Sequence, residues 1–423
     1  MLRGTPESVN DGSEFLVAPR PAGVQCGRAV LCRTWATAGR GSDVDSGGES
    51  KTVTIYYLGK AYKEPPSLSL LEKILTDEGL AGAKLGVRDN NSTAKFLGQE
   101  FVLQTEVVPE DGDPVATAKD ILANGDALII ADLEPADLLA VADLPEAAGS
   151  VILNARSDQD ALREQDCRQN VFHILPSYAM RADALAQYLI WKRWNRWFLV
   201  KGKTEKDEAY AEAVKRAAKR FGGKIVEERK FEFDAGNRRT DSGHQQVQTK
   251  MPELTQGAAS HDVVWTADVD DAFGTYLLFR TYDPDPVVGT QGLAAVAWHR
   301  AYEQYAGTQL QNAFEEEMDR IMTERDYAAW LAARVFGEAA TRTQKSDVSS
   351  LRDYIKSEDF KVAGFKGQQL TFRPWNHQLR QPVLIIGPQA LVSMSPQDGF
   401  LHPHYLTDTL GVDEPETKCR FPE

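Results

Sequence analysis

The sequence predicts an α/β protein of two lobes, each a mostly parallel sheet flanked by helices, with a cleft between them. Three observations carry this. Strand-like runs alternate with amphipathic helices from Lys51 onward. About four strands fall before Arg156 and about four after it. "WFLVKG", a helical stretch over Glu205–Phe221 and "KIVEERKFEF" together make a βαβ unit. Open α/β sheets hold ligands beyond the carboxyl ends of their strands, so both lobes should face the cleft with loops.

The elements follow in order. Residues 1–50 are rich in Gly, Ser, Asp, Arg and Pro and end in "GRGSDVDSGGES", the composition of a flexible linker. Their apolar pieces, "FLVA" and "AVLC", are shorter than the core of a secretory signal. This leader is expected to be disordered, either as an extension or because the start codon is misplaced. The first strand is then Val53–Leu58, where Val53, Ile55 and Tyr57 alternate with Thr54 and Tyr56 before Gly59. Further strands are expected at Glu100–Val108, Ala127–Ala131, Ser150–Asn154, Val171–Leu175, Trp197–Lys201, Lys224–Phe233 and Val263–Ala267. In Glu205–Phe221, Tyr210, Val214, Ala217 and Phe221 recur at helical spacing and Gly222-Gly223 stops the helix. A second helix is expected over Ala182–Trp194. Residues 292–340 read as successive helices, and "VAGFKGQQLTFRP" and "QPVLIIGPQALVSMSP" as hairpins. The lobes are therefore expected as 51–160 plus 272–341 and 161–271 plus 342–395, with a C-terminal tail at 396–423.

Composition narrows the function. The chain has 423 residues, 42% apolar and 26% charged, with a formal net charge of −14. That balance is wrong for a nucleic-acid partner, and no apolar run is long enough to insert in a bilayer. The G-x-S-x-G elbow, H-E-x-x-H, the phosphate-binding loop and the dinucleotide fingerprint are all missing, so no catalytic residue is expected. No cofactor is implied, and the Asp-rich turns "DNN", "DVDD" and "DPDP" lack the spacing of a calcium loop. Of four cysteines, Cys26 and Cys32 lie in the leader. Cys167 and Cys419 are either one disulfide, if the protein is exported, or two unrelated thiols.

Candidate ligand contacts lie in polar loops at strand and helix ends: Asp89 and Asn90 in "RDNNST", Asp132 in "DLEPAD", Asn154 in "NARSD", Tyr178 and Arg181 in "PSYAMRAD", Trp265 and Asp268 in "WTADVDD". Stacking, charge and hydrogen bonding would hold a small molecule there. The competing reading is that Asp and Asn at such points cap helices.

The two-lobe pattern and several segments carry a resemblance. "HILPSYAMRADALAQYLI" resembles the start of the second lobe in type I periplasmic binding proteins, the Leu/Ile/Val-binding group of ABC-transporter receptors. "YDPDPVVGTQGLAAVAWHRAYEQYAGTQLQ", "RDYAAWLAARVFGEAATRT", "FKGQQLTFRPWNHQLRQPVLI" and "ALVSMSPQDGFLHP" are similar to the branch whose genes accompany pyrroloquinoline-quinone-dependent alcohol dehydrogenases. The resemblance implies a non-enzymatic, monomeric periplasmic protein. It would capture a small solute by hinge closure and present it to an inner-membrane ABC permease. A sensor, or an accessory protein binding the dehydrogenase's cofactor or metal, is the alternative. The mature chain would start near Lys51. Crossovers between lobes are expected near Asp158–Asp166, Thr266–Phe273 and Thr341–Asp347, and a Cys167–Cys419 bond would fasten the tail to the second lobe. Amino-acid receptors of the family hold their ligand with small hydroxyl residues, and "DLEPAD" and "NARSD" offer no such pair. Alcohol-related metabolites, the quinone or a metal are the ligands the branch suggests.

Overall fold

A computed structural model describes residues 51–63, 74–232 and 241–421. The leader at 1–50 and the Phe233 end of the seventh expected strand lie outside the described residues.

The first sheet is wholly parallel. It comprises β1 (Lys51–Lys60), β2 (Gln99–Val108), β3 (Leu128–Asp132), β4 (Val151–Asn154) and β5 (Val171–His173), in the order β2-β1-β3-β4-β5. Alternation along β1 sends Val53, Ile55 and Tyr57 to one face and Leu58 to the other, and both faces are buried. One face packs against α1 (Leu80–Ala94) and α9 (Glu324–Thr343), the other against α2 (Pro114–Leu122) and α3 (Pro135–Ala142). The α1–α9 contact needs glycine: a Cβ on Gly82 would lie 1.8 Å from the Asp326 carbonyl oxygen.

The second sheet joins β6 (Arg196–Lys201), β7 (Lys224–Lys230), β8 (Val263–Ala267), β9 (Val287–Gly289), β10 (Leu293–Val296), β14 (Val383–Gly387) and β15 (Ala390–Ser395). Its order is β15-β14-β10-β9-β8-β6-β7, with β14 and β15 antiparallel at one edge. Helices α4 (Tyr178–Trp191) and α5 (Glu205–Phe221) cover one face. Helices α6 (Asp241–Thr255) and α7 (Gly274–Arg280) lie against the other. Helix α5 begins with a Thr204/Asp207 capping box and ends at Gly222 in the left-handed conformation, as the sequence pattern implies.

The chain returns to the first lobe through α8 (Gly307–Met318), α9, α10 (Val348–Lys356) and a small sheet of β11 (Val362–Ala363), β12 (Gln369–Phe372) and β13 (Leu379–Arg380). Leu351, Phe360, Leu370 and Leu379 belong to the same core as β1 and α9. This changes two expectations. Residues 287–296, assigned with the first lobe, hydrogen-bond into the second sheet. "LAAV" is too short and too uniformly apolar for periodicity to separate a helix from a buried strand. Residues 348–380, assigned with the second lobe, pack on the first.

The three crossings move accordingly. They run from β5 into α4, from β10 into Ala297, and from β13 into β14. Segment 266–273 instead caps α7, and 341–347 joins α9 to α10. The crossing segments are bonded to each other and to their neighbours. The Gln381 side chain donates to the Ile174 carbonyl at 2.5 Å, and Gln378 to that of Leu175 at 3.0 Å.

The C-terminal tail straps both lobes. Gly411 donates to buried Asp183 on α4 at 2.8 Å, and its carbonyl accepts from Arg216 of α5 at 2.7 Å. Farther on, Thr417 and Lys418 donate to Glu164 at 3.2 and 2.8 Å, and Phe421 stacks on His377 at 4.4 Å. Cys419 forms a disulfide with Cys167, which lies between β4 and β5. The bond therefore anchors the tail to the first lobe, not the second.

Candidate functional site

The parallel strands of both sheets point their carboxyl ends at one interlobe cleft. On the first-lobe wall β3 ends at Asp132, which accepts from the Tyr57 hydroxyl at 2.7 Å. Arg156, after β4, lies 3.3 Å from Asp132 and 3.2 Å from Glu134, and its guanidinium stacks 4.7 Å from the Tyr62 ring centre. Burial, reinforced by Asp132, raises the Tyr57 phenol well above its usual range, so this hydroxyl stays a donor. From the second lobe Lys206, in the first turn of α5, reaches Glu134 at 3.3 Å.

Deeper in the cleft is a cavity of about 200 Å³. Asp158 and Glu324 come from the first lobe; Tyr178, Arg181, Tyr210 and Thr290 come from the second. Ser177 caps α4 and so places Tyr178 and Arg181 at the mouth of the second lobe. Tyr178 and Tyr210 meet edge to face at 5.6 Å. Arg181 is the bridge between lobes: it donates to Glu324 at 2.9 Å, lies 3.4 Å from Asp158, and donates to the β10 carbonyl of Ala295 at 2.9 Å. Burial pulls the Arg181 pKa down, but Glu324 and Asp158 outweigh it and the guanidinium stays charged. Burial raises Asp158, partly offset by Arg181. Burial also pushes the Tyr210 phenol up to about 12.

Beneath this cavity the second crossing is clamped. The Ala297 amide donates to Glu324, and its carbonyl accepts from the Lys366 ammonium. Lys366 is buried with Tyr302 and Tyr327 ring centres at 5.6 and 5.2 Å. Burial lowers its pKa to about 7, with Glu324 acting in the opposite direction and Arg181 in the same one. The unfolded chain holds this proton to the ordinary lysine value of 10.5. Between those limits the unfolded state binds more protons, so the group makes stability rise with pH there. Lys366→Met should flatten the stability–pH profile from about pH 7 to 10.5, measured by urea unfolding at several pH values in that window.

The residues singled out in the sequence fall into two groups. Asp132, Tyr178 and Arg181 are brought to the cleft. The others are not. Asp89 and Asn90 lie on α1 facing α9: Asp89 accepts from Trp330 Nε1 at 2.9 Å, and Asn90 donates to the Ala333 carbonyl at 2.9 Å. "RDNNST" is helix, not a strand-end loop. Asn154 is fully buried and shapes its own turn, accepting from Ser157 N at 2.9 Å. Asp268 caps α7, accepting from the amides of Ala272, Phe273 and Gly274, and burial lifts its carboxyl to about 6. Trp265 is fully buried under Gly289, where a Cβ would meet its indole at 2.7 Å. Its N–H faces the Tyr210 phenol without hydrogen-bond geometry.

Sequence reading missed Arg156, Asp158, Lys206, Tyr210, Glu324 and Lys366. Arg156 and Asp158 both stand in "NARSD", and Lys206 and Tyr210 follow the β6 strand end, so the strand-end rule reaches them. Glu324 and Lys366 come from elements far along the chain and carry no local signal. Chemically the cleft offers paired charges, aromatic walls and hydroxyls. Among the described residues no group of three or more His, Cys, Asp or Glu converges as a metal site.

The family model described as "Periplasmic binding protein" matches residues 73–388, well over half of the chain. The chain belongs to the periplasmic binding protein family. The family and its structural neighbours are solute-binding proteins of ABC transporters, not enzymes. Three solved structures show the shared fold of this periplasmic binding protein. A branched-chain amino acid ABC transporter ligand-binding protein from Burkholderia xenovorans is 14% identical, covering 87% of this chain and 99% of its own, with a TM-score of 0.64. An amino acid ABC transporter substrate-binding protein from Pseudomonas fluorescens is 13% identical, covering 88% and 100%, at 0.63. A Rhodopseudomonas palustris solute-binding protein in complex with 3,4-dihydroxybenzoic acid is 13% identical, covering 81% and 97%, at 0.61. No curated protein matches the chain. Family membership implies a periplasmic location, and among the described residues no helix is long and apolar enough to cross a membrane.

Proposed function

We propose that this periplasmic binding protein captures a small, uncharged polar solute between its lobes and delivers it, as a monomer, to an ABC permease in the inner membrane. The solute is connected to pyrroloquinoline-quinone-dependent alcohol oxidation, a reading supported by the four C-terminal segments that resemble that branch. The observation that carries the choice of ligand is the charge pairing around the cavity. Arg181 is matched by Asp158 and Glu324, and the Lys366 ammonium is turned onto a carbonyl. An anionic ligand would have to displace Asp158 or Glu324 from Arg181, at the cost of leaving a half-buried carboxylate unpaired. A neutral molecule with hydroxyl or carbonyl groups meets Tyr178, Tyr210 and Thr290 without doing so. Two lobes that share one such ligand are held together by it, which is how occupancy is signalled to a permease.

Thermal unfolding against a panel tests this. The panel holds short alcohols and their aldehydes, the corresponding acids, amino acids, pyrroloquinoline quinone, calcium and lanthanide ions. A neutral alcohol or aldehyde is expected to raise the melting temperature with its concentration, through a stabilisation of about 2.7 kcal/mol at a hundred times Kd. Tyr178→Ala should remove that rise. A response confined to acids or amino acids overturns the neutral ligand. A response confined to the quinone or a metal favours the accessory role.

A further inference from the structure

On the outside of the molecule, where the small sheet of the first lobe meets the C-terminal tail, lies a cavity of about 300 Å³. Lys361 and Arg380 line it with His404, Gln368, Gln369 and Thr371. In a chain of net charge −14, not one carboxylate does. The acid nearest in bonding is Asp408, behind the wall, and it is already committed. It accepts from Arg373 Nε and from Arg380 Nε, each at 2.9 Å, so two guanidinium groups share one carboxylate.

Arg380 is built into this wall. Its side chain is buried, its Nη1 donates to the Phe372 carbonyl at 2.8 Å and to Thr371 at 3.3 Å, and its guanidinium lies 3.9 Å from the Tyr405 ring centre. Among the described residues Nη2 has no hydrogen-bond acceptor, and the exposed Lys361 has neither an ion pair nor a side-chain hydrogen bond. Unspent donors from two strands and the tail thus converge on one concave space, with a rigid guanidinium on the inner side and a lysine on the outer. Planar oxygen pairs suit such a guanidinium.

We propose that this cavity is a second ligand site, independent of the interlobe cleft, that takes a small oxyanion: a carboxylate or a phosphate. An anion there touches the tail at His404 and the first lobe at Lys361 and Arg380, and so adds to the hold of the tail on that lobe.

The test is titration calorimetry of the full exported chain with inorganic phosphate and, separately, with succinate, at ionic strength held constant with chloride. Lys361→Glu reverses one charge of the site. Lys84→Glu makes the same change on the exposed face of α1. Saturable binding of either anion is expected, weakened on the order of tenfold by Lys361→Glu and unaltered by Lys84→Glu. Whichever anion binds identifies the source of the oxygens. No saturable binding of either, or equal weakening by both substitutions, overturns the site. Binding of a neutral solute in the cleft should be the same in all three proteins, so failure of that reading would leave this one standing.

Discussion

Arg181→Ala should abolish solute-dependent stabilisation and lower the free energy of unfolding by about 1–3 kcal/mol, because it leaves two half-buried carboxylates without their buried cation. Asp158 and Glu324 face each other across the place where the guanidinium lies, 3.4 and 2.9 Å from its nitrogens. Without it two carboxylates remain in a pocket whose burial already raises Asp158. The Ala295 carbonyl on β10 loses a donor as well. Urea unfolding of the variant measures the cost. Arg181→Lys keeps the charge but not the fork, which reaches Glu324 and Ala295 from Nη1 and Asp158 from Nε, so it should recover part of the stability and little of the binding. Full stability in Arg181→Ala would show that the bridge is dispensable.

Cys419→Ser is the second large effect. The disulfide joins residues 252 apart in sequence, and its loss should cost about 2–5 kcal/mol. The cost falls on a particular place. At Gly411 the tail is held to α4 by the Asp183 carboxylate and to α5 by Arg216, which also pairs with Glu416, and past that point by Glu164, the disulfide and the Phe421–His377 stack. Cutting the disulfide leaves the end of the strap to two hydrogen bonds and a ring contact. Thermal unfolding of the variant beside the oxidised and reduced parent is the measurement. The reduced parent should match the variant, and equality of all three would mean that the bond is idle. Titration of free thiols in non-reduced, exported protein should find neither Cys167 nor Cys419.

Much of the architecture was legible in the sequence because it rests on local patterns. The alternation in β1, the capping box and terminal glycine of α5, and the turn within "LIIGPQALVS" each follow from a few adjacent residues. Where local pattern is ambiguous, the reading failed. "LAAV" fits a helix or a buried strand equally well, and its neighbours in the sheet, β9 and β14, are what decide it. "RDNNST" has a loop's composition, yet Asp89 and Asn90 are satisfied by Trp330 and Ala333 of a helix more than 240 residues away, at separations of 241 and 243.

The site divides in the same way. Residues at strand ends, such as Asp132, Tyr178 and Arg181, were found because topology places strand ends at a cleft. Asp268 and Asn154 share that position but spend their oxygens on backbone amides, and no composition rule separates a cap from a contact. Glu324 and Lys366 were invisible for a different reason: their role depends on which crossing segment they meet.

The sequence by itself determined the α/β class, the two lobes and the strand ends that carry polar side chains, since these follow from periodicity and from local hydrogen bonding. Only the tertiary structure decided which carboxylate meets Arg181, where the chain crosses between lobes, and that the tail straps both. Those are choices among partners hundreds of residues apart. They are made by burial, which leaves a charge stable only where an opposite one, brought by another part of the chain, already waits.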